Sequence, residues 1–592
     1  MTGRILMGLH FIFGAAGTGK TRRCCEEIRD YVTGKKGRSA FFLVPDQETY
    51  TAERMLADIF PGHGFIDATV CGFSRLAYRV FNELRSPVQD ALSPLGQQII
   101  ISRILAEHRD ELQMLMKISS QPHFAENLMN LFHQLDMFCI SETALHDVSL
   151  AEEGTPLGRK LADLSLLYKN YHDYLHTRFS YEGSLFDLLA GEIPKSEILR
   201  RSRIWIDGFN GMTPQKIRIV SALIHTAEEV TFTLPLPDAK EGLSNEIFAR
   251  PANLYALLSE EEPHFDSITL PEMKRFRCPR LRCLAADYFQ NVPSPCPLPK
   301  ETSPVPEKGI HIVSAPDSQA EADFISRRIL SLVRDKNLRW RDILVLLRSA
   351  DTYTDPLERS FSRYGIPVFT DEKQPMNNHP LVMLLDGLLH FIKAESRGKN
   401  RGFTREHIFR ILKTEIFPSF PTDMIDKLEN YVLKYHIRFS TWQKPWAFRD
   451  YRSIDQEPAP LSDKEITKQN TANTWREKVL SLLNPFLAGW KGSPAAEDKC
   501  AFLYRWLTEQ QIPETLSVWD ELEFEKTKKR PHLQVWKKVL SLLDEIVHVT
   551  GKDILPEEEL CGILADGLSA LTFSMIPPTL DHVTVTSIDR GY

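Results

Sequence analysis

Near the amino terminus, Gly14, Ala15, Ala16, Gly17, Thr18, Gly19, Lys20 and Thr21 fit the pattern G-x-x-x-x-G-K-[S/T] at every fixed position. The residue types suit a polyphosphate. Glycines allow backbone N–H groups to turn inward around phosphate oxygens. A lysine at position 20 reaches the terminal phosphates, and a hydroxyl at position 21 ligates Mg²⁺. Apolar, β-prone residues 9–13 precede the loop, and Arg22–Tyr31 reads as a helix whose amino terminus faces the anion. Cys24 and Cys25 on that helix read as packing residues rather than ligands.

Hydrolysis needs a second element. Ile204-Trp205-Ile206-Asp207 is an apolar strand ending in an acid, the arrangement in which Asp207 holds Mg²⁺ directly or through water. Most ATPases place a glutamate next, to orient the attacking water; here the residue is Gly208. An alternative for Asp207 is a turn residue in a strand-end Asp-Gly pair.

The elements around these residues alternate. Strands are expected at 40–44, 68–72, 204–206 and 230–234, with helices between, which argues for a parallel α/β sheet. From Pro94 to Leu189 the pattern turns helical: Phe124, Leu128, Leu131, Phe132 and Leu135 share one helix face, as do Leu161, Leu164, Tyr168, Tyr171 and Leu175. A Pro-rich stretch, Asn291–Lys308, reads as a linker. A second α/β unit follows, with strands at 310–313, 343–347 and 366–369 and helices at 321–333 and 354–364. Helical periodicity runs from His379 to Leu571 around a polar loop at 452–473, and a last strand is expected at 582–587. No short repeat is present.

Composition bounds the function. The chain has 592 residues, 42% hydrophobic and 26% charged, enough for several cores. With 72 basic against 79 acidic residues, net −7, it is no histone-like polycation, although a local basic channel remains compatible with that balance. Three basic stretches could track phosphates, 274–282, 397–410 and 526–530 with 537–538; solvated helix faces are the alternative. No apolar run is long enough to span a membrane. No signal peptide is evident, and sparse cysteines suit a reduced, cytoplasmic compartment. Cys278, Cys283 and Cys296 lack a C-x-x-C spacing and read as ordinary thiols rather than a metal site. The chain stops just after a strand-like segment, as an amino-terminal fragment would.

The expected plan is α/β: two RecA-like P-loop parallel-sheet domains, each with an inserted α-helical domain. It resembles the superfamily 1 helicases of the UvrD type. Finer matches are Leu43-Val44-Pro45-Asp46-Gln47, Gly72-Phe73-Ser74-Arg75-Leu76-Ala77, Ile206-Asp207-Gly208-Phe209, Asp371-Glu372-Lys373 with His379-Pro380-Leu381, Leu428-Glu429-Asn430-Tyr431-Val432, and Ile576-Pro577-Pro578 leading to Ser587-Ile588-Asp589-Arg590. Together these resemble the AddB family, the B subunits of bacterial AddAB helicase-nucleases, across essentially the whole chain.

The resemblance implies domain 1A at 1–90 and 200–290, insertion 1B at 91–199, domain 2A at 309–378 and 576–592, and insertion 2B at 379–575, with a nuclease domain absent from this chain. It implies ATP and Mg²⁺ at Gly14–Thr21 and Asp207, and DNA proximity for Phe73, Arg75 and Arg79. It further implies a heterodimer with an AddA-type subunit, double-stranded DNA ends and single-stranded DNA as partners, and no membrane. Members also carry a [4Fe-4S] cluster in a nuclease region, not assignable to this chain. Gly208 agrees with a subunit that keeps a nucleotide pocket and has lost its motor. Two other functions stay open: an autonomous UvrD-like translocase, and a P-loop kinase or signalling ATPase unrelated to DNA.

Overall fold

The computed structural model describes residues 8–34, 39–60, 62, 64–86, 92–119, 121, 124–178, 182–237, 246–276, 278–287, 309–370, 374–448, 462–527, 530–573 and 581–588. The expected linker 291–308, the segment 371–373 and the motifs 576–578 and 589–590 lie outside them. Two compact units divide the chain: residues 1–92 with 130–316, and residues 93–129 with 317–591.

In the first unit the chain alternates β1 (Gly8–Phe13), α1 (Lys20–Gly34), β2 (Ser39–Leu43), α2 (Thr49–Ile59), β3 (Ala68–Cys71) and α3 (Phe73–Leu84). After α4 (Pro94–Glu107), which belongs to the second unit, come α5 (Phe124–Met137), α6 (Glu142–Ala151), α7 (Pro156–Arg178), α8 (Glu182–Glu192) and α9 (Glu197–Arg200). The sheet resumes with β4 (Ser202–Ile206), α10 (Pro214–Thr226), β5 (Glu229–Leu234), α11 (Ala249–Glu261), β6 (Phe265–Thr269) and α12 (Pro279–Asp287). All six strands are parallel, in the order β3-β2-β4-β5-β1-β6.

The strands read as near-continuous apolar runs because both sheet faces are covered. Ile12, Phe42, Val70 and Trp205 pack under α1 and α2 with Cys24, Cys25, Ile28 and Leu56. Phe11, Phe13, Phe41, Ile204, Ile206, Val230 and Phe232 face the opposite layer of α3, α8, α10 and α11. Burying each such large apolar side chain contributes about 1.5–3 kcal/mol. β6, which sequence patterning does not reveal, is a half-polar edge strand (Phe-Asp-Ser-Ile-Thr) that, among the described residues, pairs only with β1. In the helical layer α5–α7, the buried Asp136 accepts hydrogen bonds from Tyr168 Oη at 2.5 Å and His172 Nε2 at 3.1 Å.

The second unit holds α13 (Ser318–Lys336), β7 (Leu344–Leu347), α14 (Ala350–Tyr364), β8 (Val368–Thr370) and β9 (Gln374–Pro375). Helices α15 (Pro380–Ser396), α16 (Arg405–Leu412), α17 (Thr422–Lys434), α18 (Asp463–Lys491), α19 (Ala496–Glu509), α20 (Ile512–Thr527), α21 (Pro531–Thr550) and α22 (Glu557–Ser569) follow, then β10 (Thr572–Phe573) and β11 (Val583–Ser587). β11 lies between β7 and β8 in a three-stranded parallel sheet. Phe361, Leu357 and Ile329 of α14 and α13 cover one face of it.

Three expectations change. Residues 310–313 form no strand: they pair with no strand among the described residues, and Ile312 is 97% exposed. Residues 463–473 are not a loop but the start of the 29-residue α18. Ser462 caps that helix through Glu465 N, and Glu465 returns a bond to Ser462 N, so a capping box outweighs the polar composition. Residues 93–129, with α4 among them, group with the second unit rather than with the rest of 91–199. The α4 cap Ser93 and Gly96 N both bond Glu545 of α21, and Arg103 pairs with Asp553.

Candidate functional site

Residues 14–19 join the carboxyl end of β1 to the first residue of α1. Gly17 and Gly19 have φ of +89° and +94°, backbone that side-chain-bearing residues rarely adopt. Thr18 is 2% exposed and its hydroxyl donates to Ala15 O at 3.0 Å, closing the loop on itself. Lys20 Nζ reaches back across the concavity to donate to Gly14 O at 2.8 Å and Ala15 O at 3.1 Å. Unpaired N–H groups of the first turn of α1, together with the helix dipole, make the loop an anion cradle. Thr21 sits in that first turn.

Asp207 lies 186 residues after Thr21 in sequence, and the strand order brings it back. β5 separates β1 from β4; β1 ends level with β5, Phe13 opposite Leu234, and β4 ends two residues earlier, Ile206 opposite Phe232, at the same carboxyl end of the sheet. Asp207 is 4% exposed; its N–H donates to Leu43 O at 3.0 Å and one carboxylate oxygen accepts from the Thr233 hydroxyl. Its charge acts on the Lys20 ammonium. Burial lowers the Lys20 pKa, Asp207 opposes that shift, and Arg275 adds to it. The donor set is hard: backbone amides, an ammonium, a hydroxyl and a carboxylate. Such a set fits a polyphosphate with Mg²⁺ and not a soft metal. Within that set, the Thr21 hydroxyl and the Asp207 carboxylate are oxygen donors of the kind a hard cation takes.

Two contributors escape sequence reading. The segment after β6 lies across the loop: Lys274 N and Arg275 N donate to Gly17 O at 2.9 and 3.0 Å. A Cβ at Gly17 would stand 3.0 Å from Arg275 Cβ and 3.3 Å from Met273 Sδ. The basic stretch at 274–276 therefore sits over the P-loop, where its charge could equally serve a nucleotide as DNA; only the unpredicted strand β6 carries it there. The second contributor is Glu48, in a single 3₁₀ turn (Asp46–Glu48) after β2. A Cβ at Gly208 would come within 2.8 Å of Glu48 Oε2. Burial, then the charge of Asp207, raises the Glu48 pKa.

Of the residues expected near DNA, Phe73 is corrected. It is 3% exposed, packed 5.5 Å from the Phe209 ring and 6.5 Å from that of Phe186, so it is a core residue and offers no face to a base. The apolar face of α3 explains this. Arg75 is exposed and lies 3.7 Å from Glu53. Arg79 donates to Thr69 Oγ1 at 2.7 Å and lies over the Phe41 ring. Both arginines line a surface groove with Tyr78, Asn82 and Thr69. In the stretch 397–410, Arg397 pairs with Glu558, Arg405 with Glu429 and Arg410 with Asp386, the pattern of a solvated, ion-paired face. Among the described residues no group of three or more His, Cys, Asp or Glu side chains could hold a metal ion, and none fits an iron-sulfur cluster. Cys296 lies outside the described residues. Among them, too, no helix is long and apolar enough to cross a membrane.

A parallel sheet with a glycine loop after its first strand and an acid ending a nearby strand defines the RecA-like P-loop class. Residues 11–284 match the family described as ADDB, N-terminal. The chain is similar to proteins named as the B subunits of ATP-dependent helicase/deoxyribonucleases. It is 33% identical to that of Heliobacterium modesticaldum over 609 residues, covering 99% of this chain and 48% of the relative. It is 33% identical over 604 residues to that of Pelotomaculum thermopropionicum and 32% over 618 residues to that of Geobacillus kaustophilus, in both cases 99% of this chain and 51% of the relative. Over 99% of its length the chain is thus similar to AddB proteins. It spans about half the length of the relatives it matches.

Proposed function

We propose that this chain is the ATP- and DNA-binding, helicase-like part of one subunit in a heterodimeric helicase-nuclease that processes double-strand DNA ends for recombinational repair. The observation that carries the reading is the convergence of Lys20 and Asp207 at one sheet edge, in a chain whose relatives bear the name of an ATP-dependent helicase/deoxyribonuclease. On this reading Gly14–Thr21 wrap the triphosphate. Lys20 exchanges its bonds to the Gly14 and Ala15 carbonyls for phosphate oxygens, a charge-assisted gain. Thr21 and Asp207 would hold Mg²⁺, which would neutralise phosphate charge. Arg275 adds a second cation beside Lys20.

The strand of Asp207 brings no glutamate of its own, so we assign translocation to an AddA-type partner and treat this chain as a scaffold gripping DNA. The exposed Arg75 and Arg79 are the contacts we assign to DNA phosphates in place of Phe73. The sheet units 1–90 with 200–290, and 309–378 with 576–592, would then serve as domains 1A and 2A, with helical insertions 1B and 2B. The nuclease chemistry and the [4Fe-4S] cluster are assigned to no residue of this chain.

Titrating the chain with a fluorescent ATP analogue and with forked DNA across a salt series tests this. Saturable, Mg²⁺-dependent nucleotide binding and salt-sensitive DNA binding are expected. Absence of nucleotide binding refutes the pocket; absence of DNA binding favours a P-loop protein of another kind.

A further inference from the structure

Gly208 leaves the strand of Asp207 without the adjoining glutamate, yet the space for such a side chain is not empty. A Cβ built on Gly208 would meet Glu48 Oε2 at 2.8 Å and Pro45 Cδ at 2.9 Å. Gly208 itself has φ of +83°, so glycine is favoured there twice over, by backbone conformation and by the close approach of Glu48. The fold holds Glu48 in place from a neighbouring strand. β2 pairs with β4 in register, Leu43 opposite Ile206, and Asp207 N donates to Leu43 O at 3.0 Å. The chain then turns at Pro45, with Glu48 N bonded to Pro45 O at 2.8 Å. The Glu48 side chain is half-buried, and among the described residues no hydrogen bond or ion pair engages its carboxylate. A carboxylate with free acceptor capacity therefore stands beside Asp207, at the strand edge that bears the P-loop.

We propose that Glu48, reaching in from the turn after β2, replaces the missing strand glutamate and acts as the base for hydrolysis of ATP held by the P-loop. The proposal rests on the nucleotide-site reading above. In the step, a water oxygen forms a bond to the γ-phosphorus as the bond from that phosphorus to the β–γ bridging oxygen breaks. The electron pair leaves with ADP. The proton lost by the water passes to the Glu48 carboxylate and from there to solvent, leaving inorganic phosphate. The site is then an ATPase whose acid ligand and base come from two different strands, which separates hydrolysis from the motor pattern that Gly208 breaks.

The test compares the 592-residue chain with Glu48→Gln, Glu48→Asp and Lys20→Ala, with and without single-stranded DNA. Binding of a fluorescent ATP analogue, phosphate release and thermal midpoint are read separately. Glu48→Gln is expected to bind nucleotide and melt like the parent chain while losing about 100-fold or more in phosphate release. Glu48→Asp, which keeps a carboxylate, is expected to recover part of that loss at unchanged affinity. Parent-like phosphate release by a folded Glu48→Gln overturns the proposal. A parent chain that binds nucleotide but releases no phosphate above the Lys20→Ala background also overturns it, and leaves the nucleotide site standing. A parent chain that binds no nucleotide removes both. If Glu48→Gln fails to fold, Glu48→Asp decides: parent-like affinity with reduced release supports the proposal, and an unchanged rate refutes it.

Discussion

The hydroxyl of Thr233, at the carboxyl end of β5, donates to a carboxylate oxygen of Asp207 at the end of β4. Both residues are buried, so the bond fixes one oxygen of Asp207 and leaves the other for the pocket. Thr233→Val keeps the shape and removes the donor. Leaving a buried carboxylate short of a partner costs about 1–3 kcal/mol. The variant is expected to unfold at lower urea concentration and to need more Mg²⁺ for nucleotide binding. Unchanged values for both would show that the bond does not orient Asp207.

Lys20→Ala removes the one lysine of the glycine loop. A charge-assisted contact to phosphate is worth about 1.5–3 kcal/mol, so nucleotide affinity is expected to fall about 10- to 150-fold. Equilibrium titration with a fluorescent ATP analogue measures it. Equal affinity in both chains contradicts the assigned pocket.

Gly208→Glu is the substitution that sequence comparison with motor ATPases suggests. The structure predicts damage instead of repair. The new side chain meets Pro45 and the Glu48 carboxylate, on backbone with φ of +83°. Strain of this kind costs about 1–3 kcal/mol, before adding repulsion between two carboxylates. Lower thermal stability and no gain in ATP turnover are expected. A large rise in turnover would refute the account.

His379 caps α15, accepting from Leu381 N at 3.1 Å through Nδ1, while its Nε2 lies 2.9 Å from His532 Nδ1. Burial first, then His532, pushes its pKa down to about 4, against the opposing charge of Asp520. The folded chain therefore keeps His379 neutral where the unfolded chain binds a proton. Its contribution is complete above about pH 6.5 and is lost as pH falls towards 4. The loss is on the order of 2–3 kcal/mol. His379→Asn keeps a capping side chain and removes the titration. Urea unfolding at pH 7 and pH 5 is expected to show a smaller acid loss for the variant; equal losses would exclude His379 as the source.

Local chemistry made part of this protein legible from its sequence. The glycine spacing of 14–19 dictates an anion-binding turn wherever it lies between a strand and a helix, because the positive φ values and unpaired helix amides are properties of those few residues. Apolar runs such as Phe41–Val44 and Ile204–Ile206 announced buried parallel strands for a similar reason. What only the tertiary structure decided depends on strand order. The placement of β5 between β1 and β4 brings Lys20 and Asp207 together, the edge strand β6 carries Arg275 over the loop, and the turn after β2 sets Glu48 beside Gly208. The same applies to Phe73: its type suits stacking on a base, but the face of α3 it occupies is the one the sheet covers. A residue's type and spacing fix what chemistry it can perform. Long-range pairing fixes which groups it meets and whether it reaches solvent.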